Sequence, residues 1–154
     1  MSQIEEIVRY GIRAGNRRGW NLAIMPAYAR LKSGTKEGPS YQTPQQVADL
    51  TQFVLSFTGR ATDTEAAVRG GVTYNAAGCW DCHGRDVQGD PAIGAPGLTD
   101  DEWLYGGRPE DIRRSITQGR AGISPAFANK LTPGEQRSVA VYVASLARTK
   151  VDGK

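Results

Sequence analysis

The chain is 154 residues long, enough for one domain or two small ones, and nineteen Lys and Arg against sixteen Asp and Glu leave a formal charge of +3. So small an excess does not mark a nucleic-acid binder, and no apolar run approaches the ~18 residues that a membrane span requires. The excess is uneven: residues 1–40 hold seven basic side chains (Arg9, Arg13, Arg17, Arg18, Arg30, Lys32, Lys36) and three acidic ones (Glu5, Glu6, Glu37), which suits a solvated face, or a docking face for an acidic partner or an anionic membrane surface.

Residues 3–14 read as a helix, because Ile4, Ile7, Val8 and Ile12 recur at three- and four-residue spacings before Gly11 and Gly15 fray it. Residues 15–42 read as loop, broken at Met25-Pro26 and Gly38-Pro39. Thr43 as cap and Pro44 in the first helical position announce a helix over 43–58, with Val47, Leu50, Phe53, Val54 and Phe57 as its apolar stripe and Gly59 as its stop. The polar stretch 60–64 is the expected domain boundary. A helix from about Thr64 then leads into Cys79, with Ala67, Val68, Val72 and Tyr74 expected towards the core. Residues 84–108 are a Gly/Pro-rich loop with a short turn at Asp100–Tyr105; Pro109 opens a helix with Ile112 and Ile116 that Gly119 closes, and Thr132-Pro133 starts a last one carrying Val139, Val141, Tyr142, Val143 and Leu146. No segment alternates at period two, so an all-α fold is expected.

Cys79-Trp80-Asp81-Cys82-His83 spells C-x-x-C-H, the pattern in which two thioethers hold the edge of a porphyrin and the adjacent imidazole meets its iron. These are the only cysteines and the only histidine of the chain, so no further Cys or His exists to complete a zinc site. A thioredoxin-like dithiol would need a preceding strand in a βαβ context, and none is readable. One covalently attached haem c is therefore expected, with Trp80 and Asp81 filling the variable positions. Thioether attachment takes place on the outer side of the bacterial inner membrane, so a periplasmic location is expected. The acidic first turn, Met1–Glu6, is not the basic start of a signal peptide, and an export signal or membrane anchor is expected upstream.

The chain also repeats itself. Ile4–Gly15 is similar to the stretch from Ile112, with Gly11 facing Gly119; Met25-Pro26-Ala27-Tyr28 matches Ser124-Pro125-Ala126-Phe127; Thr43-Pro44 matches Thr132-Pro133; and Phe53–Phe57 matches Tyr142–Leu146. Residues 65–108, which include the C-x-x-C-H, have no copy.

Together these pieces resemble the diheme c-type subunit of cbb3-type cytochrome oxidases. Tyr10-Gly11-Ile12-Arg13 and Met25-Pro26-Ala27-Tyr28 look like the back half of that family's first domain; Cys79–Gly84, Gly94-Ala95-Pro96-Gly97-Leu98-Thr99-Asp100, Trp103-Leu104-Tyr105-Gly106 and Tyr142–Leu146 look like its second. The resemblance implies two class I cytochrome c domains behind a membrane anchor, each with its own C-x-x-C-H and its own Met-Pro. Here the first has no haem motif and the second has Ser124 in place of the methionine. The expected architecture is thus a haemless half-domain over 1–59, supplying Met25, and a class I cytochrome c domain over 65–154.

A serine hydroxyl is a poor ligand for haem iron, whose usual sixth ligands are a thioether or an imidazole. Apart from the terminal Met1, only Met25 offers one. Loss of the haem motif in one half and of the methionine in the other is what two domains that exchange axial methionines would leave. The alternatives are Met25 as a gap-filling core residue, a five-coordinate iron, or Lys130 as ligand. The stripe of helix 43–58, with no haem in its own half, is expected to pack on the second domain or on a partner chain. The resemblance implies further that the Pro96 carbonyl accepts the Nδ1 proton of His83. Trp103 and Tyr105 are expected to wall the porphyrin or to reach a propionate, while Arg85, Arg108 and Arg120 pair with propionates or stay solvated.

The expected function is single-electron transfer in a respiratory chain, within or related to a cbb3-type terminal oxidase, with oxidase subunits or another cytochrome as redox partners. The alternative is a ligand-binding or peroxidatic haem with a labile sixth position and Ser124 as its polar group. Nothing in the chain supports acyl transfer or metal hydrolysis, so a carrier is expected rather than an enzyme acting alone.

Overall fold

The computed structural model describes residues 2–29 and 41–151, the last five by backbone alone. Arg30, Lys32, Lys36, Glu37 and the Gly38-Pro39 break lie outside the described residues. Among the described residues six helices follow one another: α1 Gln3–Tyr10, α2 Pro44–Ser56, α3 Thr64–Ala76, α4 Trp80–His83, α5 Pro109–Gln118 and α6 Pro133–Val151. Among the described residues only isolated bridges stand in for strands, and the fold is all-α.

Two compact units form: a central one over 23–121, and a terminal one built from 1–22 with 122–154. The boundary expected at 60–64 therefore falls inside the central unit, and the division into 1–59 and 65–154 does not describe how the chain packs. The reason is local. Residues 60–64 make a tight helix-to-helix turn, with the Arg60 N–H on the Leu55 carbonyl at 3.0 Å and the Thr62 N–H on Gln52 Oε1 at 2.9 Å, so α2 folds straight back on α3.

In the central unit α2 starts on a capping box: Thr43 Oγ1 accepts the Gln46 N–H at 3.2 Å, and Gln46 Oε1 accepts the Thr43 N–H at 2.8 Å. Val47, Leu50, Val54 and Leu55 of α2 join Tyr74, Val87, Ile112 and Ile116 in one buried cluster. Val47, Leu50 and Val54 of the expected stripe are thus covered within their own unit, chiefly by α3, which Asp63 caps through the Ala66 N–H at 2.8 Å, whereas Phe57, just past the end of α2, is exposed. The two helices cross at Gly70, where a Cβ would lie 2.6 Å from the Asp49 carbonyl carbon and 2.7 Å from Phe53 Cβ. That crossing corrects one expectation about α3. Val68 and Val72 are each 68% exposed, while Ala66, Ala67, Gly70, Thr73 and Tyr74 are buried. Closest approach selects the small residues, and Val68 sits ~100° round the helix from Ala67.

In the terminal unit α1 packs on α6 and is bonded to the loop before it, with the Phe127 N–H on Val8 O and the Ala128 N–H on Arg9 O, both 3.1 Å. Tyr10, Gln136 and Ala140 are buried, but Val139, Val141, Tyr142, Val143 and Leu146 of α6 are exposed.

Both units contain the same local pattern. α5 ends at Gly119 (φ 70°, ψ 179°), and the next residue, Arg120, exchanges two backbone hydrogen bonds of 2.9 Å with Met25, while the Tyr28 N–H reaches Ile116 O at 3.0 Å. α1 ends at Gly11 (φ 78°, ψ 177°), and Ile12 exchanges bonds of 2.9 and 3.0 Å with Ser124, while the Phe127 N–H reaches Val8 O. Each unit therefore joins the first helix of one repeat to the loop and last helix of the other.

Candidate functional site

The C-x-x-C-H motif is a single helical turn. Gly78 (φ 72°) admits it and Gly84 (φ 79°, ψ 157°) ends it, with the His83 N–H on Cys79 O at 3.0 Å and the Gly84 N–H on Trp80 O at 2.9 Å. Within one turn, residues three and four apart share a side, so Cys79, Cys82 and His83 are presented together. Both cysteines are free and half-buried. Burial pushes the Cys79 thiol up to about 11, which keeps it protonated at neutral pH.

His83 is buried, and its Nδ1 lies 2.9 Å from the Pro96 carbonyl oxygen. A carbonyl only accepts, so Nδ1 carries the proton and the Nε2 lone pair is left for a metal. The loop that delivers Pro96 is bound to the motif itself: the Gly89 N–H meets His83 O at 2.8 Å, the Leu98 N–H meets Val87 O at 2.9 Å, and Asp90 and Ala95 exchange two bonds of 3.0 Å. Val87 holds this path at φ 61°, a rare conformation for a β-branched residue, while its side chain is buried in the core. Tyr74 adds a brace, its hydroxyl donating to Gly84 O at 2.6 Å.

Met25, Tyr28, Cys79, Trp80 and Trp103 all pack against the same buried cluster of the central unit. Ser124 belongs to the terminal unit, bonded to Ile12. Lys130 belongs there too, its ammonium 5.7 Å from the Phe127 ring. The Tyr28 phenol is pushed up to about 12, first by burial and then by the proximity of Cys79, Cys82 and Asp81. Sequence reasoning singled out Tyr28 only as part of the repeat and placed Tyr74 in the core, where it is buried, without giving it the hydrogen bond to Gly84; an aromatic directly after Met-Pro-Ala, and another five residues before a C-x-x-C, were the available signals.

Trp103 and Tyr105 part company. Trp103 packs on the cluster, whereas Tyr105 is 41% exposed with the Arg120 guanidinium 4.3 Å from its ring centroid. Arg120 Nε also donates to Ser115 Oγ at 3.0 Å. Arg85 stacks on Trp80 at 4.1 Å, and Arg108 pairs with Asp111 at 3.1 Å and Glu110 at 3.2 Å.

The residues present suit a covalently held haem. The two thiols, an imidazole with Nδ1 engaged and a thioether share one unit. Trp103 Nε1 is buried with no hydrogen-bond partner. An unmet buried donor costs ~1–3 kcal/mol, and a propionate carboxylate is an acceptor that would relieve it. Among the described residues no helix is long and apolar enough to cross a membrane, and no three His, Cys, Asp or Glu side chains gather to bind a metal ion by themselves.

The model of the family described as cytochrome c oxidase, cbb3-type, subunit III matches residues 65–143. Curated relatives include the cbb3-type cytochrome c oxidase subunit FixP of Bradyrhizobium sp. (strain ORS 278), 35% identical over 153 residues that make up 97% of this chain and 49% of that one. The subunit CcoP of Azospirillum brasilense is 34% identical over 155 residues (97% and 50%), and a CcoP of Rhodobacter capsulatus is 39% identical over 110 residues (67% and 37%). The chain spans about half the length of the first two relatives. The family match runs from α3 through the motif and into α6, and a cytochrome of this kind implies a covalently bound haem c. The chain belongs to the family of cbb3-type cytochrome c oxidase subunit III.

Proposed function

We propose that this chain is a monohaem electron carrier of a bacterial respiratory chain, its haem c attached to Cys79 and Cys82 and its iron held between His83 and Met25. It works in the periplasm, with subunits of a cbb3-type oxidase or another cytochrome as redox partners. One observation carries the reading: Met25 packs on the same apolar cluster as Cys79, Trp80 and Trp103, whereas Ser124 is bonded to Ile12 in the other unit. Met25, from the repeat copy that has no haem motif, would thus serve the haem held by Cys79, Cys82 and His83 of the same unit.

When bound, the haem supplies reversible one-electron chemistry at iron. The chain's residues set its terms. The Pro96 carbonyl fixes the His83 ring and raises the donor strength of Nε2. The Met25 thioether would hold the iron opposite a histidine's harder nitrogen only when haem is bound, and would there favour the reduced state. A ligand-binding haem with Ser124 as its polar group has weaker support, because a thioether, that of Met25, packs on the cluster that also holds Cys79.

The test is Met25→Ala. The ferrous protein is expected to change from one inert to carbon monoxide into one that binds it, the near-infrared thioether-to-ferric band to vanish, and the reduction potential to fall by on the order of 0.1 V, a fraction of the ~0.8 V that axial ligands span. Ser124→Ala should do none of this. A Met25→Ala protein with unchanged spectrum and potential would overturn the proposal.

A further inference from the structure

We propose that Gly119 and Arg120, at the end of α5, are positioning residues for Met25 that decide whether the sixth iron position is filled; this rests on the reading of Met25 as a ligand. Gly119 lies against the Met-Pro segment so closely that a Cβ would collide with Met25 O and sit 2.8 Å from both the Ala27 nitrogen and the Pro26 carbonyl carbon. Its φ of 70° and ψ of 179° belong to a region open essentially to glycine alone. Glycine is therefore required twice, for the backbone turn and for the approach.

Arg120 supplies the grip. Its N–H donates to Met25 O and its carbonyl accepts the Met25 N–H, both at 2.9 Å. Its side chain is tethered in turn by Ser115 Oγ and by the Tyr105 ring. On one side of this pair α5 is rooted in the core by Ile112 and Ile116. On the other, the segment that carries Met25 has no regular secondary structure and is joined by the Ala23 N–H on Ile93 O and the Tyr28 N–H on Ile116 O, each 3.0 Å, and by the Gln42 N–H on Tyr28 O at 2.6 Å. An added methyl at 119 displaces the loop rather than the core helix, and the loop is the Met25 segment. Contacts of 2.8 Å must open towards ~3.5 Å, and a thioether moved by that much leaves the iron.

The terminal unit holds a matched control. Gly11 repeats the geometry against the serine copy, where a Cβ would collide with Ser124 O and sit 2.9 Å from the Ala126 nitrogen. Gly11→Ala imposes the same strain and the same kind of collision on a segment without a ligand.

Gly119→Ala is expected to keep its covalent haem, lose the near-infrared thioether band and bind carbon monoxide in the ferrous state; Gly11→Ala is expected to remain inert to carbon monoxide. Arg120→Ala, which leaves the backbone bonds but frees them from Ser115 and Tyr105, should bind imidazole in the ferric state several-fold faster than the parent. A Gly119→Ala protein of native helix content that stays inert to carbon monoxide overturns the proposal, as does a Gly11→Ala protein that opens its iron equally. Should Gly119→Ala fail to accumulate, the Arg120→Ala rate decides, and an unchanged rate overturns it. Failure of the ligand reading is seen separately: Met25→Ala is then silent, whereas if only the positioning role is wrong Met25→Ala opens the iron and Gly119→Ala does not.

Discussion

Two neighbouring glycines of α3 should respond in opposite directions to the same change. Gly→Ala in a helix interior is worth about 1 kcal/mol in propensity. At Gly70 the new methyl lies 2.6 Å from the Asp49 carbonyl carbon and 2.7 Å from Phe53 Cβ, atoms fixed to the backbone of α2. Reaching ~3.5 Å requires α2 and α3 to separate by about 1 Å along their closest contact. Overpacking of this kind costs ~1–3 kcal/mol and falls at the top of that range when backbone must move. The net for Gly70→Ala is a loss of about 1–2 kcal/mol. At ~4–8 °C per kcal/mol for a unit of this size, Tm falls by roughly 5–15 °C. At Gly71 the nearest atom is Phe53 Cε2 at 3.2 Å, the edge of a ring that can tilt, so Gly71→Ala should be neutral or stabilising by up to ~1 kcal/mol. Guanidinium denaturation and thermal scans of the haem-loaded protein read both. Equal stability of the two variants, or a Gly70→Ala protein as stable as the parent, would refute the close crossing.

The same crossing carries a pH signature. Asp49 is buried and takes hydrogen bonds from Arg69 Nη2 and Nε at 3.0 and 3.1 Å and from Gln45 Nε2 at 3.0 Å; the Arg69 bonds hold its carboxyl below the usual range although burial opposes them. A lowered carboxylate stabilises the fold above its unfolded pKa, ~3.9, and loses that contribution as pH falls through the lowered value. Asp49→Asn should therefore cost about 1–2 kcal/mol at pH 7, less than a fully buried pair because Arg69 is half exposed, with the gap to the parent closing below about pH 4; a gap independent of pH would exclude the mechanism. In the haem-loaded protein the Trp103 Nε1 proton should exchange slowly, and Trp103→Phe should lose about 1–3 kcal/mol, whereas fast exchange would show that no acceptor meets it.

Local signals are legible in the sequence and pairings between distant segments are not. Thr43-Pro44 and Pro109 place the starts of α2 and α5, and the hydrogen bond from His83 to the Pro96 carbonyl is the one that the family resemblance implies. The repeat is readable too, but a repeat does not say which copy of a helix meets which copy of a loop. Gly119 and Gly11 look alike as letters, and only the fold gives Met25 to the first and Ser124 to the second. The linker at 60–64 has a linker's composition and a turn's hydrogen bonds. Val68 and Val72 suggest an apolar face because hydrophobicity is counted by side chain, whereas the crossing of α2 and α3 is set by the absence of one at Gly70. A pair of glycines in mid-helix, each unfavourable by about 1 kcal/mol there, was the signal for close approach. For Val87 at φ 61° no residue-level signal exists.

The two units differ in how the chain enters them. The central unit is one unbroken segment, 23–121, so every contact it needs is present once residue 121 has been synthesised. The terminal unit is closed by segments more than ninety residues apart, and α1 has no α6 to meet until the last part of the chain exists. Loop closure over that span carries an entropic cost that shrinks once the intervening residues are already compact. The order of assembly follows: the segment bearing Met25 and the two cysteines is free to condense before α1 and α6 meet.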